Sequence, residues 1–270
     1  MKKYFNPGKN IKIIMLSVFF FVILIASASC AHQYSKTTLA TAGPLPRNNV
    51  NQDKNSIKEE NIADVDLKTD DNINIKATFY KGKGDMPSII LLHMLGRSRS
   101  DWNELGIELQ KLGYNAVAID LRGHGQSDLN WRTFSENDFN KMILDAKSAK
   151  DFLAKNNPGS DFAVIGASIG ANVALNFAAE DNSIKLLVLM SPGLDYRGVK
   201  TEESIKKFAN PILIIASEGD SYAADSSRKL ISSSKNSTLK IYSGSLHGTN
   251  LLGKTDVDKV IVEWIERNLT

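Results

Sequence analysis

The pentapeptide Gly166-Ala167-Ser168-Ile169-Gly170 places a serine between two glycines, where an apolar run (162–165) meets a helical pattern (169–179). At a sharp strand-to-helix turn the serine hydroxyl projects beyond the sheet, and the glycines leave room for the crowded backbone. The N–H of Ile169 opens the helix and has no partner within it, so it can stabilise a developing oxyanion. This pattern predicts that Ser168 is a nucleophile.

A serine hydroxyl is a poor nucleophile at neutral pH and needs a neighbouring base to take its proton. The chain has four histidines, and His247 is the only one that follows Ser168. It lies in a Gly/Ser-rich loop after an apolar run at 239–242, where an imidazole could reach back to the serine. His247 is therefore the candidate general base.

Alternating strand and helix patterns are expected to position these residues. Residues 62–67 and 73–80 alternate apolar and polar side chains, which predicts a half-buried antiparallel pair. Continuous apolar runs, typical of parallel strands covered on both faces, then occur at 88–92, 116–120, 162–165, 186–190 and 212–215. Helical patterns occur at 100–112, 137–155, 169–179, 222–233 and 256–269. The order predicts a doubly wound α/β fold, with a mostly parallel sheet and helices on both faces.

The segment between the last two of these apolar runs is short. About 20 residues separate 186–190 from 212–215, which leaves no room for a large cap domain. We therefore expect an open, shallow site, with residues 193–208 as part of its rim.

Short motifs follow the predicted parallel strands in turn. They are Leu91-Leu92-His93-Met94-Leu95-Gly96, Asp120-Leu121-Arg122-Gly123-His124-Gly125-Gln126-Ser127, the Ser168 pentapeptide, Ser217-Glu218-Gly219-Asp220 and Ser243-Gly244-Ser245-Leu246-His247-Gly248. Their order and spacing resemble the α/β-hydrolase superfamily from about residue 62 onward, in particular its lidless branch of dienelactone hydrolases and serine aminopeptidases. The D-x-R-G-x-G-x-S match combined with G-x-S-x-G makes the resemblance specific.

The resemblance implies a catalytic triad in the chain order serine, acid, histidine. Ser168 is then the nucleophile and His247 the general base and subsequent general acid. The resemblance places the triad carboxylate at Asp220, with Glu218 and Asp225 as nearby competitors. The acid would hold the imidazole tautomer and stabilise the imidazolium.

The resemblance also points to a second oxyanion donor in the loop after His93. In relatives with His-Gly-x at this place, the donor is the N–H two residues after the histidine, which corresponds to Leu95 here. Met94 stands where glycine is usual, so Met94 either contributes a donor or lines the acyl pocket. Ile169 is the other expected donor. His93 and the Asp120–Ser127 stretch are expected to be structural.

These features predict a serine hydrolase that cleaves a small ester or related acyl substrate through an acyl-enzyme, without a cofactor. A serine peptidase, a thioesterase and an acyltransferase would use the same residues and stay open as alternatives. A non-catalytic binding lipoprotein is the alternative from another class, although such proteins typically lose a triad member. The sequence contains no compact His/Cys cluster of the kind that would indicate a metal site.

The N-terminus has the parts of a bacterial export signal. Four lysines precede an apolar run at 13–26, and Ser27-Ala28-Ser29-Cys30 follows. The last four residues resemble a lipobox, although Ser27 stands where leucine is usual. We expect a signal peptide at 1–29, lipidation of Cys30, a polar tether at 30–61 and one domain at 62–270, held at the membrane outside the cytoplasm. Cleavage after Ala28 and an uncleaved signal anchor are the alternatives.

The charge of the chain gives no support for a nucleic-acid partner. The whole chain has 33 basic and 30 acidic residues, and four of the basic residues lie within the predicted signal peptide. The remainder, with 29 basic residues, is close to neutral. The sequence leaves the physiological substrate and the oligomeric state open.

Overall fold

The structure is a computed structural model that describes residues 61–84 and 86–269. The strands within this range are β1 (Ile62–Lys68), β2 (Asn74–Tyr80), β3 (Ser88–Leu92), β4 (Asn115–Ile119), β5 (Phe162–Ala167), β6 (Ile184–Met190), β7 (Asp195–Tyr196), β8 (Val199–Lys200), β9 (Ile212–Ser217) and β10 (Ser237–Tyr242). The α-helices are α1 (Asn103–Lys111), α2 (Glu136–Asn140), α3 (Met142–Asn156), α4 (Ile169–Glu180), α5 (Glu202–Lys207), α6 (Ser221–Ser233) and α7 (Val257–Asn268).

Eight of the strands form one sheet in the order β1-β2-β4-β3-β5-β6-β9-β10. β1 pairs antiparallel with β2, and β2 pairs antiparallel with β4. The strands from β4 to β10 in this order are all parallel. The doubly wound, mostly parallel α/β fold is thus confirmed, as is the antiparallel pair at its start.

The apolar strand runs bury side chains on both faces of the sheet. In β5, Phe162 and Val164 join a core with residues of α3 and α4, whereas Ala163 and Ile165 join a second core with residues of α1 and α7. Alternate residues of a strand point to opposite faces, so an uninterrupted apolar run fits a sheet covered by helices on both sides.

The structure differs from the predicted elements in two places. The helix expected at 137–155 is interrupted at Lys141, and the part before it is the separate short helix α2, which begins with the capping box of Ser135 and Asp138. The rim segment 193–208 contains the antiparallel pair β7–β8 and the short helix α5. Two-residue strands are too short to produce a detectable alternation. In the described part of the chain, no helix is long and apolar enough to cross a membrane.

Candidate active site

Ser168 lies at the tight turn between β5 and α4, with φ 53° and ψ −120°. A Cβ atom on Gly166 would lie 2.2 Å from the carbonyl oxygen of Gly170, and a Cβ on Gly170 would lie 2.5 Å from the carbonyl oxygens of Leu92 and His93. Only glycine fits at either position without moving the backbone. The strained φ of Ser168 is the kind of local conformation that clusters at functional sites.

His247 and Asp220 lie at neighbouring strand ends. Asp220 follows β9 and His247 follows β10, and these two strands are parallel neighbours, so both loops leave the same edge of the sheet. The Nδ1 atom of His247 is 2.6 Å from Oδ2 of Asp220. The competing acids face away from this contact, because Glu218 and Asp225 both pair with Arg228. A carboxylate at Nδ1 leaves Nε2 as the proton acceptor.

The loop that carries His247 is fixed on both sides of the imidazole. The hydroxyl of Ser217 donates to the carbonyl of Leu246 at 2.7 Å, and the Gly248 N–H donates to the hydroxyl of Ser191 at 2.9 Å. Ser191 is fully buried and has φ 49°, another left-handed residue beside the site. The loop therefore holds its histidine in place before any substrate binds.

Ser168 and His247 face one cavity of about 370 Å³. The other residues that line it are Met94, Leu95, Ile169, Asp195, Tyr196 and Arg197. The candidate nucleophile, the candidate base and the residues of both expected oxyanion donors thus surround a single space at the carboxyl edge of the sheet, where open α/β sheets bind ligands.

The amino-terminal half of the domain matches a family of known hydrolases. The model of the serine aminopeptidase family S33 matches residues 86–199, which include Ser168 but end before Asp220 and His247. An uncharacterized protein of Mycobacterium tuberculosis is 30% identical over 115 residues, which make up 42% of this chain and 31% of that protein. The chain thus spans less than a third of the length of this curated relative.

Solved structures resemble this chain over the carboxyl-terminal half of the domain as well. An esterase of Pyrococcus furiosus superposes with a TM-score of 0.67 at 22% identity, over 77% of this chain and 91% of that one. The chain has the α/β-hydrolase fold. A dienelactone hydrolase of Anabaena variabilis superposes with a TM-score of 0.66 at 19% identity, over 77% of this chain and 98% of that one. At these identities the two neighbours share the fold with this chain.

The expected oxyanion donors lie in the loop after β3 and in the first turn of α4. In residues 86–269, the amides of Met94, Leu95 and Ile169 donate no hydrogen bond to another protein group. The Met94 side chain is 8% exposed, and its sulfur would lie 2.9 Å from a Cβ atom on Gly248. Met94 therefore lines the cavity and fills the space beneath the histidine loop. That the N–H of Leu95 or of Met94 is the second oxyanion donor stays a prediction.

Tyr196, like Asp195 and Arg197, lines the cavity and was not singled out from the sequence. Its ring lies 6.3 Å from the imidazole of His247, at an angle of 88°. Its hydroxyl donates to the carbonyl of Ser191 at 3.3 Å, and Tyr196 and Ser168 line the same cavity. Among the described residues no hydrogen bond joins Ser168 to His247, and catalytic hydrogen bonds of this kind often tighten only when substrate is present.

His93 makes structural hydrogen bonds with both of its ring nitrogens. Its Nδ1–H donates to the carbonyl of Met94 at 2.8 Å, and its Nε2 accepts from the N–H of Leu121 at 3.0 Å. The ring is fully buried, and burial lowers the pKa of His93 to about 4, with the neighbouring His124 as the next cause. A neutral His93 thus connects the loop after β3 to the loop after β4.

The stretch from Asp120 to Ser127 is a hydrogen-bonded loop, as expected. Asp120 is fully buried and accepts from the N–H groups of Arg99 and Gln126 at 2.7 and 2.9 Å. Arg122 is 1% exposed and pairs with Asp145 at 2.8 Å. These contacts occupy the charged groups of the loop, and the described residues contain no group of three or more side chains that could hold a metal ion.

We expect the stability of the domain to fall between pH 6.5 and pH 4 because His93 must stay neutral. The pKa of His93 drops from its ordinary value of 6.5 to about 4 on folding, so the unfolded chain binds more protons within this window. The contribution of neutral His93 to the free energy of unfolding is complete above the pKa of this histidine in the unfolded chain. It is lost as the pH falls toward the pKa of His93 in the folded protein. At pH 5 the expected loss is about 2 kcal/mol.

Urea unfolding of wild type and His93→Gln at pH 7 and pH 5 tests this expectation. Glutamine keeps one donor and one acceptor but does not titrate. The loss of unfolding free energy between the two pH values should therefore be about 2 kcal/mol smaller in the variant. An equal loss in both proteins would assign the pH dependence to other groups.

Proposed function

We propose that this chain is a serine hydrolase that cleaves small carboxylic esters, with Ser168 as nucleophile, His247 as general base and acid, and Asp220 as the orienting carboxylate. The observation that carries the proposal is the 2.6 Å Asp220–His247 contact beside a strained serine, with all of them at one edge of the sheet. The turn at Ser168 alone would be only a tight turn, but His247 faces the same cavity and, paired with Asp220, supplies the proton acceptor that the serine needs.

The first half of the proposed reaction forms an acyl-enzyme. His247 Nε2 takes the Ser168 proton as Oγ attacks the ester carbonyl carbon, and Asp220 stabilises the imidazolium through Nδ1. The N–H of Ile169, together with that of Leu95 or Met94, donates to the carbonyl oxygen as it becomes negative. His247 then protonates the departing alcohol.

The second half releases the acid. His247 takes a proton from a water molecule, whose oxygen attacks the acyl carbon, and the bond between that carbon and Ser168 Oγ breaks. The electron pair returns to Oγ, and His247 gives it the proton. Ester hydrolysis in this scheme uses the side chains of Ser168, His247 and Asp220, the oxyanion donors and one water molecule.

The cavity favours small acyl groups. Its volume of about 370 Å³ lies at the lower end of ligand pockets, and Met94 fills the space beneath the His247 loop. We expect p-nitrophenyl acetate and butyrate to be cleaved with kcat/KM values at least about tenfold above that of the palmitate ester, since one methylene is worth about 1–3 kcal/mol in a fitted pocket. Equal or faster turnover of the palmitate ester would contradict the size limit.

A serine aminopeptidase is the second candidate, and one feature of the cavity favours it. The exposed carboxylate of Asp195 lines the cavity and could pair with a substrate amine, although one of its oxygens accepts from the Gly198 N–H at 2.7 Å. Alanine p-nitroanilide and p-nitrophenyl butyrate separate the two activities. Faster cleavage of the anilide, lost on Asp195→Asn, would favour the peptidase over the esterase.

Export and lipid attachment at Cys30 stay proposals that rest on the sequence pattern, because residues 1–60 lie outside the described part of the chain. In cells that express the full chain, a Cys30→Ser variant should leave the membrane fraction. If that variant stays membrane-bound, an uncleaved signal anchor explains the attachment instead.

A further inference from the structure

A buried carboxylate joins the loop after β3 to the loop after β10. Asp101 lies in a short 3₁₀ helix, Arg99–Trp102, which follows the loop with the expected oxyanion donors. Its carboxylate accepts a hydrogen bond from the Thr249 hydroxyl and pairs with the Arg97 guanidinium at 2.8 Å. Arg97 belongs to the loop after β3, and Thr249 comes two residues after His247. Asp101 therefore contacts the loop of the candidate base and the loop of an expected oxyanion donor.

The 3₁₀ helix that carries Asp101 is fixed to the sheet and to the core. The Arg99 N–H donates to the buried carboxylate of Asp120 at 2.7 Å, and Trp102 is fully buried. The side chain of Asp101 is only 7% exposed, and Thr249 is buried as well. Hydrogen bonds to a charged carboxylate are about twice as strong as those between neutral groups, and burial strengthens them further. Asp101 thus gives both loops a common fixed point.

The same two loops also meet at the cavity. The sulfur of Met94 would lie 2.9 Å from a Cβ atom on Gly248, the residue directly after His247. The N–H of Arg97 donates to the carbonyl of Met94 at 3.2 Å, which closes the turn that contains Leu95. The spacing between the imidazole and the expected oxyanion donors therefore depends on how these two loops are held against each other.

Both half-reactions of the proposed mechanism need this spacing. In each tetrahedral intermediate, one oxygen accepts hydrogen bonds from the oxyanion donors while His247 gives or takes the proton of another oxygen on the same carbon. A misplacement of about 1 Å can lower such a rate by about 10²-fold. The ester in its ground state carries less charge on the carbonyl oxygen, so the spacing affects kcat more than KM.

We propose that Asp101 is a positioning residue for hydrolysis, which holds the two loops at the separation that the tetrahedral intermediates require. The inference rests on the proposed function. Asp101 is not among the residues that line the cavity with Ser168, so it acts through Arg97 and Thr249. It stays ionised and transfers no proton in either half-reaction.

Thr249→Val removes the hydroxyl that Asp101 binds and keeps the shape of the side chain. With p-nitrophenyl butyrate at pH 8, we expect kcat to fall about tenfold or more, while KM stays within about twofold of the wild-type value. A melting curve verifies that the variant is folded at the assay temperature. Thr249→Ser restores the hydroxyl, and its kcat should return to within about threefold of wild type.

A double-mutant cycle between Arg97→Met and Thr249→Val tests the bridge itself. Among the described residues no hydrogen bond joins these two side chains, so coupling between them passes through Asp101. Because either change breaks the same link, the double variant should lose little more of kcat than Thr249→Val alone. In an Asp101→Ala background, the two changes should lower kcat by no more than about a further twofold. A loss equal to the product of the two single losses would overturn the proposal.

Thr255→Val is the matched control from the same part of the chain. The Thr255 hydroxyl donates to the carbonyl of Leu251 at 3.1 Å and accepts from the N–H of Val257 at 3.2 Å, so its contacts stay within this segment. Its kcat should stay within about twofold of wild type. An equal fall of kcat in Thr255→Val and Thr249→Val, or no recovery in Thr249→Ser, would contradict the positioning role.

The activity of the wild type separates the two proposals. A wild type that cleaves no ester would refute the proposed function, and the positioning role with it. An active wild type together with an unchanged kcat in Thr249→Val would refute the positioning role of Asp101 alone.

Discussion

Ser168→Ala is expected to lower kcat/KM for p-nitrophenyl butyrate by about 10⁴-fold or more. Among the residues that the structure describes, no other hydroxyl in the cavity lies at a helix N-terminus beside the Asp220–His247 pair. Without Oγ, no acyl-enzyme forms, and only the oxyanion donors and substrate binding remain to accelerate hydrolysis. Steady-state hydrolysis of the purified variant measures this effect.

The melting temperature separates lost chemistry from lost structure. Alanine at residue 168 keeps the same backbone strain, and the side chain it replaces is small and 6% exposed. The variant should therefore melt within a few degrees of wild type. Ser232→Ala is the control, since this serine is exposed near the end of α6 and should keep full activity. More than a tenth of wild-type activity in Ser168→Ala would contradict its role as nucleophile.

Asp220→Asn is expected to lower kcat by about 10³–10⁴-fold with little change in KM. The asparagine fits the same space, but it can present an N–H to Nδ1 of His247 and so favour the tautomer that carries its proton on Nε2. That imidazole cannot accept the proton of Ser168. Initial rates at pH 8 measure the effect.

Glu218→Gln is the matched control for the acid. Glu218 lies two residues before Asp220, and its carboxylate pairs with Arg228 on the surface. Exposed ion pairs of this kind contribute little to stability, about 0–1 kcal/mol. Activity should therefore stay within about twofold of wild type. A larger loss of activity in Glu218→Gln than in Asp220→Asn would show that Asp220 is not the triad carboxylate.

The sequence predicts the sheet and the meeting of the three triad candidates well, for one physical reason. Ser168, Asp220 and His247 each follow a strand, and the parallel strands β5, β9 and β10 all end at the same edge of the sheet. Buried strands are recognisable as short apolar runs, so the loops that follow them can be placed together without knowledge of their shape.

The sequence could not reveal Tyr196, because its position depends on contacts between distant residues. The pair β7–β8 has only two residues per strand, and Asn172 holds it through hydrogen bonds to backbone groups more than 20 residues away in sequence. The one local signal is Arg197-Gly198, where φ angles of 57° and 85° form a two-residue hairpin turn. An arginine at the first turn position is unusual, so the sequence gives little indication of the hairpin.

The sequence also could not predict where the Met94 side chain packs. Its departure from the expected glycine is visible in the sequence, but its packing under Gly248 depends on how the loop after β10 crosses the loop after β3. The structure shows that the larger side chain has a space of its own between the two loops. Met94 is therefore part of the cavity lining.

Labelling with a fluorophosphonate probe tests the central claim most directly, since the probe reacts covalently with a serine that an adjacent base activates. We predict that wild type is labelled in stoichiometric amount at pH 8, that the modified peptide contains Ser168, and that Ser168→Ala is not labelled. Absence of labelling in wild type, or equal labelling of the alanine variant, would contradict the assignment of Ser168 as an activated nucleophile.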